Sequence, residues 1–314
     1  MSLQSLVSIL IPCYNAERWV GQAIESALAQ TWPNKEVIVV DDGSIDGSRA
    51  VIETFGDKIR HEFGPNRGGN PCGNRLLELA SGEWVQFLDA DDYLLPEKIS
   101  DQMEFSHSAD VIYGPVLIKN QSSRCDNQEV SLPSSNSDLF EHWICWQVCQ
   151  TGGVLWRRDA LCKIGGWNEA YRCCQDNEVC LRAIQHGLKF SYCPKSAAVY
   201  RIWSEDTVCR KNPCEVISTK TGLIDEMLKW LKDSGRLNSR HTAAAGQASF
   251  EMARTLAKVS ISEASCYAKA QKAKGIWNPA GPAAPRAYCA LMKIVGFQLA
   301  EVIAKVIRKR KYAI

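Results

Sequence analysis

Three short apolar runs, each stopped by a turn of polar or acidic residues, constrain this chain more than any other feature. Val7-Ser8-Ile9-Leu10-Ile11 stops at Pro12. Val37-Ile38-Val39-Val40 stops at Asp41-Asp42-Gly43-Ser44, and Trp84-Val85-Gln86-Phe87-Leu88 stops at Asp89-Ala90-Asp91-Asp92. Runs this short and this apolar read as strands buried on both sides. Between them the apolar spacing turns helical, with Val20, Ile24 and Leu28, then Val51 and Ile52, then Leu76, Leu77 and Leu79. The β-α-β-α rhythm implies an α/β fold: a mostly parallel sheet covered by helices on both faces. Asn15 is expected to cap the first helix, Trp32-Pro33-Asn34 to end it, and Gly64 to Gly73 to form a loop.

Farther along, Ser122 to Asp138 reads as a polar surface loop, and a second α/β portion runs from Gly152 to about Trp203. From Pro213 the pattern is helical over Glu215–Asp233, Thr242–Lys258, Glu263–Lys274 and Arg286–Arg308, with a Pro/Gly/Ala linker from Gly275 to Pro285. The expected organisation is a domain over 1–212, split into halves of about 1–110 and 111–212, with a helical C-terminal region over 213–314.

Composition narrows the function. With 46% hydrophobic and 23% charged residues over 314 positions the chain is an ordinary globular protein, and a net charge of +2 excludes a broadly basic nucleic-acid coat. No run reaches the ~18 apolar residues of a membrane span. The opening Met1-Ser2-Leu3-Gln4-Ser5-Leu6 has no basic leader, so a cytoplasmic location is expected. The 14 cysteines are scattered without a Cys-x-x-Cys pair, as in a reduced compartment. His142-x2-Cys145-x3-Cys149, with Cys173 or Cys174 as a fourth ligand, is a loose zinc pattern. Small buried hydrophobes are the preferred reading of these cysteines.

The acidic turns carry the chemistry. In open parallel sheets ligands bind beyond the carboxyl ends of the strands, so both clusters should face one crevice. The second cluster crowds carboxylates into a single turn, where they repel one another. A hard divalent cation, Mg²⁺ or Mn²⁺, sharing its shell with substrate phosphates would resolve that repulsion.

Ile11-Pro12-Cys13-Tyr14-Asn15, Ala23 to Thr31, Val39-Val40-Asp41-Asp42-Gly43-Ser44 and Phe87-Leu88-Asp89-Ala90-Asp91-Asp92 resemble the family 2 glycosyltransferases over about residues 6–203. The resemblance implies a GT-A fold, a nucleotide-diphosphate sugar donor, most often a UDP-sugar, and inversion at the anomeric carbon. It implies that Pro12, Tyr14 and Asn15 edge the nucleotide pocket and that Asp41 or Asp42 accepts from the base. Asp89 would touch the ribose or sugar and share the metal with Asp91, and Arg201 would reach the diphosphate. In the second half Thr151 to Arg158 and Ile164 to Glu169 resemble the acceptor cleft, and Asp176 matches the general base. Gln175 stands where relatives usually have Glu. This removes a like charge beside the base and should lower its pKa slightly, and it keeps a non-catalytic sugar-nucleotide-binding protein as an alternative.

A second departure is Cys72-Gly73-Asn74-Arg75, where many relatives carry Ala-Arg-Asn. Asn74 aligns as a donor contact, but the Arg position is Gly73. Tyr200-Arg201-Ile202-Trp203 is not the Gln-x-x-Arg-Trp of processive synthases, which favours transfer of one sugar to a carbohydrate or lipid-linked acceptor. Trp143, Trp146, Trp156 and Trp167 are either sugar-stacking platforms or core.

Other readings fit less well. A phosphorelay receiver carries its acid pair after the first strand, and a dinucleotide-binding dehydrogenase needs Gly-x-Gly-x-x-Gly there. Outside the resemblance, Leu291, Val295, Leu299, Val302 and Val306 recur at helical steps, widened by Ile294, Ile303 and Ile307, with Lys305 and Arg308 to Lys311 crowding the end. Such a helix either docks on the domain or, through 286–311, makes a peripheral contact with the inner face of a membrane.

Overall fold

The computed structural model describes residues 4–120, 128–130, 138–144, 150–195, 198–203 and 212–311, with backbone alone at 128–130 and 308–311. Most of the Ser122 to Asp138 stretch, and Cys145, Trp146 and Cys149, lie outside the described residues. The chain divides into two compact units, one formed by Met1–Ser137 with Gln147–Ser204 and the other by Asp138–Trp146 with Glu205–Ile314.

The first unit is built on a seven-stranded sheet. Its strands are β1 (Val7–Cys13), β2 (Lys35–Asp41), β3 (Arg60–Phe63), β4 (Trp84–Phe87), β6 (Val111–Tyr113), β9 (Val154–Arg157) and β10 (Phe190–Tyr192), in the order β10-β6-β9-β4-β1-β2-β3. All neighbours are parallel except β9, which runs antiparallel to both β4 and β6. A four-stranded sheet adds β5 (Tyr93–Leu94), β11 (Ala198–Ile202), β7 (Val116–Asn120) and β8 (Gln128–Val130) in that order. Helices α1 (Val20–Leu28), α2 (Ser48–Glu53), α3 (Gly69–Leu79), α4 (Lys98–Met103), α6 (Arg158–Lys163) and α7 (Gln175–Gln185) complete the unit.

Burial explains the strands. Ile9, Ile11, Val37 and Val39 on one side of the sheet pack with Val20, Ala23 and Ile24 of α1. Val7, Trp84 and Leu155 join Ile99 and Met103 of α4 in a separate cluster. Because β1, β2 and β4 are parallel and in register, Cys13 lies beside Asp41, and Leu88 N donates to Leu10 O at 2.9 Å. The turns after these three strands, two of them acid-bearing, therefore leave the sheet at one end. The reversed β9 brings its first residues, and the Thr151–Gly153 turn before them, to the same end of the sheet, beside the end of β4.

Local expectations need correction at three places. Asn15 does not cap α1, which starts at Val20; it adopts φ 49° and its Oδ1 accepts from Ile45 N at 2.9 Å. The glycine-rich loop is shorter than expected, since Gly69 to Gly73 already belong to α3. The polar strand β3 has no apolar signature; it is added at the sheet edge by pairing with β2.

The second unit is helical: α5 (Leu139–Ile144), α8 (Pro213–Asp233), α9 (Ser239–Val259), α10 (Ile261–Ala273) and α11 (Arg286–Lys311). Asn212 and Asn238 cap α8 and α9, with His241 closing a capping box on the latter. α11 is broken at Gly296, whose φ of 78° and ψ of 168° are not helical. Its buried side chains are Tyr288, Phe297, Ala300 and Glu301, and none of them belongs to the apolar stripe read from the sequence. Ile294, Leu299, Val302, Val306 and Ile307 are exposed. Among the described residues no helix is long and apolar enough to cross a membrane.

Candidate active site

The end of β4 and the turn after it gather acids. Asp92 is buried, and its Oδ1 accepts from Arg201 N at 2.8 Å. Asp91 reaches the surface in part, and its Oδ2 accepts from Trp203 Nε1 at 2.8 Å. Asp176, in the first turn of α7, accepts at Oδ1 from Thr151 Oγ1 at 2.9 Å. Asp89 lies between these groups. Burial, then the charges of Asp91 and Asp176, push Asp89 up to about 8, against a hydrogen bond from Thr151. Asp92 is likewise raised by burial, Asp89 and Asp91. Burial raises Asp176 to about 6, against the Thr151 hydrogen bond. Asp89 and Asp176 each keep some surface open to solvent, so neither is sealed in the core.

Counter-charge is scarce here. Arg201 is buried, with its guanidinium 4.9 Å over the Trp19 ring and 4.6 Å over the Tyr93 ring. Its Nη1 donates to the Asp91 backbone O at 2.6 Å and its Nη2 to Gln22 Oε1. The guanidinium thus braces the acid turn from behind, with one N–H of each terminal nitrogen committed to protein. Hard oxygens crowded together, with charge that neutral donors do not cancel, suit a small divalent cation. The one cluster of three metal-type side chains among the described residues lies elsewhere, in the second unit: Asp138, Glu141 and His241. Asp138 is already engaged: its Oδ1 accepts from Phe140 N at 2.9 Å at the start of α5, and its Oδ2 accepts from His241 Nε2 at 2.7 Å.

At the end of β2 the two carboxylates have different duties. Asp42 accepts from Arg67 N and Gly68 N, both at 2.8 Å, and so pins the loop before α3. Asp41 is fully buried; Oδ1 accepts from Ser44 N at 3.1 Å and Arg49 Nε at 2.9 Å, while Oδ2 has no partner among the described residues. Of the pair, Asp41 keeps an unspent acceptor, screened by the half-exposed Arg49. Pro12 lies in β1 beside Val40, Tyr14 is 52% exposed, and the Asn15 amide N–H donates to Ser44 Oγ at 2.9 Å. These three border the end of the sheet where the acids emerge.

Asn74 differs from its expected role. Its Nδ2 donates to Trp167 O and Glu169 Oε1, both at 2.9 Å, and its Oδ1 accepts from Trp167 N at 2.8 Å. The side chain clamps the Trp167–Glu169 segment, with both of its N–H donors committed there. Gly73 has a related reason: a Cβ there would lie 2.8 Å from Trp167 Cδ1. No arginine fits at that position while Trp167 packs there, with its ring 5.1 Å from Phe87. Arg75 instead pairs with Glu62 and Glu78 on the surface. Trp143, Trp156 and Trp167 are all buried, so they are core and not sugar platforms.

Sequence reasoning missed Thr151, Trp203, Arg49 and Gln22 as parts of this site. Thr151 sits in a segment recognised only as acceptor-like, and nothing in its neighbours' spacing shows that an antiparallel strand delivers it to Asp89. Cys13 and Cys72 are pushed up to about 12 by burial, as inert core groups are.

Residues 8–161 match the family model described as Glycosyl transferase family 2. An uncharacterised glycosyltransferase of Nostoc sp. is 34% identical over 169 residues, 50% of this chain and 52% of that protein. The Escherichia coli protein named UDP-Glc:alpha-D-GlcNAc-diphosphoundecaprenol beta-1,3-glucosyltransferase WfaP is 36% identical over 112 residues, 34% of this chain and 44% of its own length. The chain thus spans about half or less of these curated relatives. Among solved structures, the mannosyltransferase PcManGT of Pyrobaculum calidifontis, in complex with GDP-Man and Mn²⁺, superposes with a TM-score of 0.55 at 14% identity, over 97% of this chain and 88% of that one. S. aureus TarS 1-349 with UDP-GlcNAc gives 0.54 at 19% identity, over 82% and 84%. These likenesses show the fold, a GT-A-type α/β sheet with a helical extension.

Proposed function

We propose that this chain is a glycosyltransferase that moves a single sugar from a nucleotide-diphosphate sugar to an acceptor hydroxyl with inversion, using a divalent cation. The convergence of Asp89, Asp91 and Asp176 at one end of the sheet, within a segment largely covered by the family match, carries this reading. Asp91 and Asp89 would hold Mn²⁺ or Mg²⁺, which when bound offsets the charge gained by the leaving diphosphate. Asp176 takes the proton from the acceptor hydroxyl as it attacks the anomeric carbon from the face opposite the leaving group. Thr151 orients that carboxylate through its 2.9 Å hydrogen bond. The base of the nucleotide would meet Asp41 after Arg49 moves aside, with Pro12, Tyr14 and Asn15 along the pocket edge.

The relatives suggest the substrates. Uridine and guanosine diphosphate sugars occur in the neighbours' complexes, and WfaP is named for a diphosphoundecaprenol acceptor. A UDP-sugar donor and a carbohydrate or lipid-linked acceptor fit best. The test is a panel of UDP- and GDP-sugars incubated with Mn²⁺ or Mg²⁺, with release of the nucleoside diphosphate as readout. Turnover of one donor, abolished by EDTA and restored by the cation, supports the reading. Tight donor binding with neither transfer nor hydrolysis would indicate a sugar-nucleotide-binding protein instead, and full activity in EDTA would remove the cation.

A further inference from the structure

Five of the ten large apolar side chains that stand exposed among the described residues belong to α11: Ile294 at 83%, Leu299 at 49%, Val302 at 41%, Val306 at 51% and Ile307 at 54%. This is not an undocked helix. Its opposite side is firmly seated: Phe297 meets the Trp277 ring edge-on at 5.6 Å, Ala300 and Glu301 are fully buried, and Arg254 Nε holds Glu301 Oε1 at 2.7 Å. At about 100° per residue, Phe297, Ala300 and Glu301 fall on one side of the helix, and Leu299, Val302 and Val306 on the other. The chain has therefore docked the narrower, mixed face and left the wider apolar one in solvent.

Charge indicates what covers it. Residues 286–311 contain Arg286, Lys293, Lys305, Arg308, Lys309, Arg310 and Lys311 against a single acid, Glu301. That acid is buried and consumed by Arg254, so the outer face offers no carboxylate to oppose the cations. A second copy of the chain on this face would set like charge against like charge across a two-fold axis. An anionic surface neutralises it.

We infer that the outer face of α11 lies on an anionic phospholipid bilayer, with the apolar stripe among the acyl chains and the lysines and arginines at the headgroups. The inference is independent of the glycosyl-transfer reading, and its test needs no activity. Full-length protein is sedimented at low salt with vesicles of phosphatidylcholine alone or with about one-third phosphatidylglycerol. The protein should pellet with the anionic vesicles only and be released as salt rises. Val302→Glu with Val306→Glu should lower the bound fraction at least ~tenfold, leaving the melting temperature unchanged because both sites are exposed. Lys293→Gln with Lys305→Gln, which leaves the apolar stripe intact, should weaken binding about fivefold per charge removed. It carries the test if the glutamate variant misfolds. Absence of binding to the anionic vesicles overturns the inference, as does equal binding by folded variants. A soluble dimer abolished by the same glutamates would assign the face to a second copy.

Discussion

Replacing Asp176 with Asn preserves the shape of the side chain and its acceptor oxygen toward Thr151 but removes the capacity to take a proton. Loss of a positioned general base costs about 10²–10⁴ in rate, equivalent to about 3–5 kcal/mol of barrier. The structure adds a second signature. With the carboxyl raised to about 6 by burial, the ionised, competent fraction is about nine-tenths at pH 7 and about one-tenth at pH 5. Wild-type turnover should therefore fall by up to about tenfold across that interval, the active form being the one present above the pKa. A cation on the neighbouring acids would shift the limb downward, never upward. The assay is initial rate of nucleoside diphosphate release from pH 5 to 8 at saturating donor, with donor affinity measured separately by titration calorimetry. The Asn variant should bind donor nearly normally, turn over at least a hundredfold more slowly, and lack the acid limb. Near-normal turnover, or a retained limb, refutes the assignment. It would not simply pass to the nearby acids: Glu178 is already bound by Arg182 at 2.8 Å through both oxygens, and Glu169 by Asn74.

Asp91→Ala should abolish most transfer while the melting temperature holds, with EDTA doing the same to the wild type; full activity of either would remove Asp91 from the cation site. Gly73→Ala should destabilise by about 1–3 kcal/mol, because its Cβ would strike the Trp167 ring. An alanine in a helix ordinarily stabilises by about 1 kcal/mol, so the sign of the shift in a urea titration decides the matter. In cation-free buffer the fold should lose stability as pH rises from about 4 to about 8. The folded chain keeps the Asp89 proton up to about 8, whereas the unfolded chain releases it near the ordinary 3.8. Asp89→Asn should flatten this slope in melts at pH 6 and 8.

The elements legible in the sequence were those whose apolar pattern arises from burial on both sides, namely β1, β2 and β4, and the acid turns that end β2 and β4. The long C-terminal helices were legible within a few residues for the same reason of periodicity. What stayed hidden depends on contacts made at long range. Gly69 to Gly73 spell a loop by composition, yet they are helical because Asn70 Nδ2 donates to Asn168 O at 2.6 Å and Tyr171 O at 2.9 Å, and because Gly73 admits Trp167. β3 is an edge strand of mixed polarity, with no pattern to read. The sequence left open whether the apolar stripe of α11 docks or faces outward, because hydrophobic periodicity identifies a stripe but not whether the protein covers it. The burial of Arg201 against Trp19 and Tyr93 was hidden because it needs three distant segments to meet.

Helix α3 has a further consequence for how substitutions combine. Its N-terminal approach is fixed by Asp42 through Arg67 and Gly68, and its middle grips the Trp167–Tyr171 segment that leads into α7. The eleven residues between Gly69 and Leu79 form a rod about 16 Å long. A rod has no hinge in which to absorb a shift at one end. Changes at Asp42 and at Asn74, though their side chains share no partner, should therefore fail to add in free energy, each altering the seat on which the other acts.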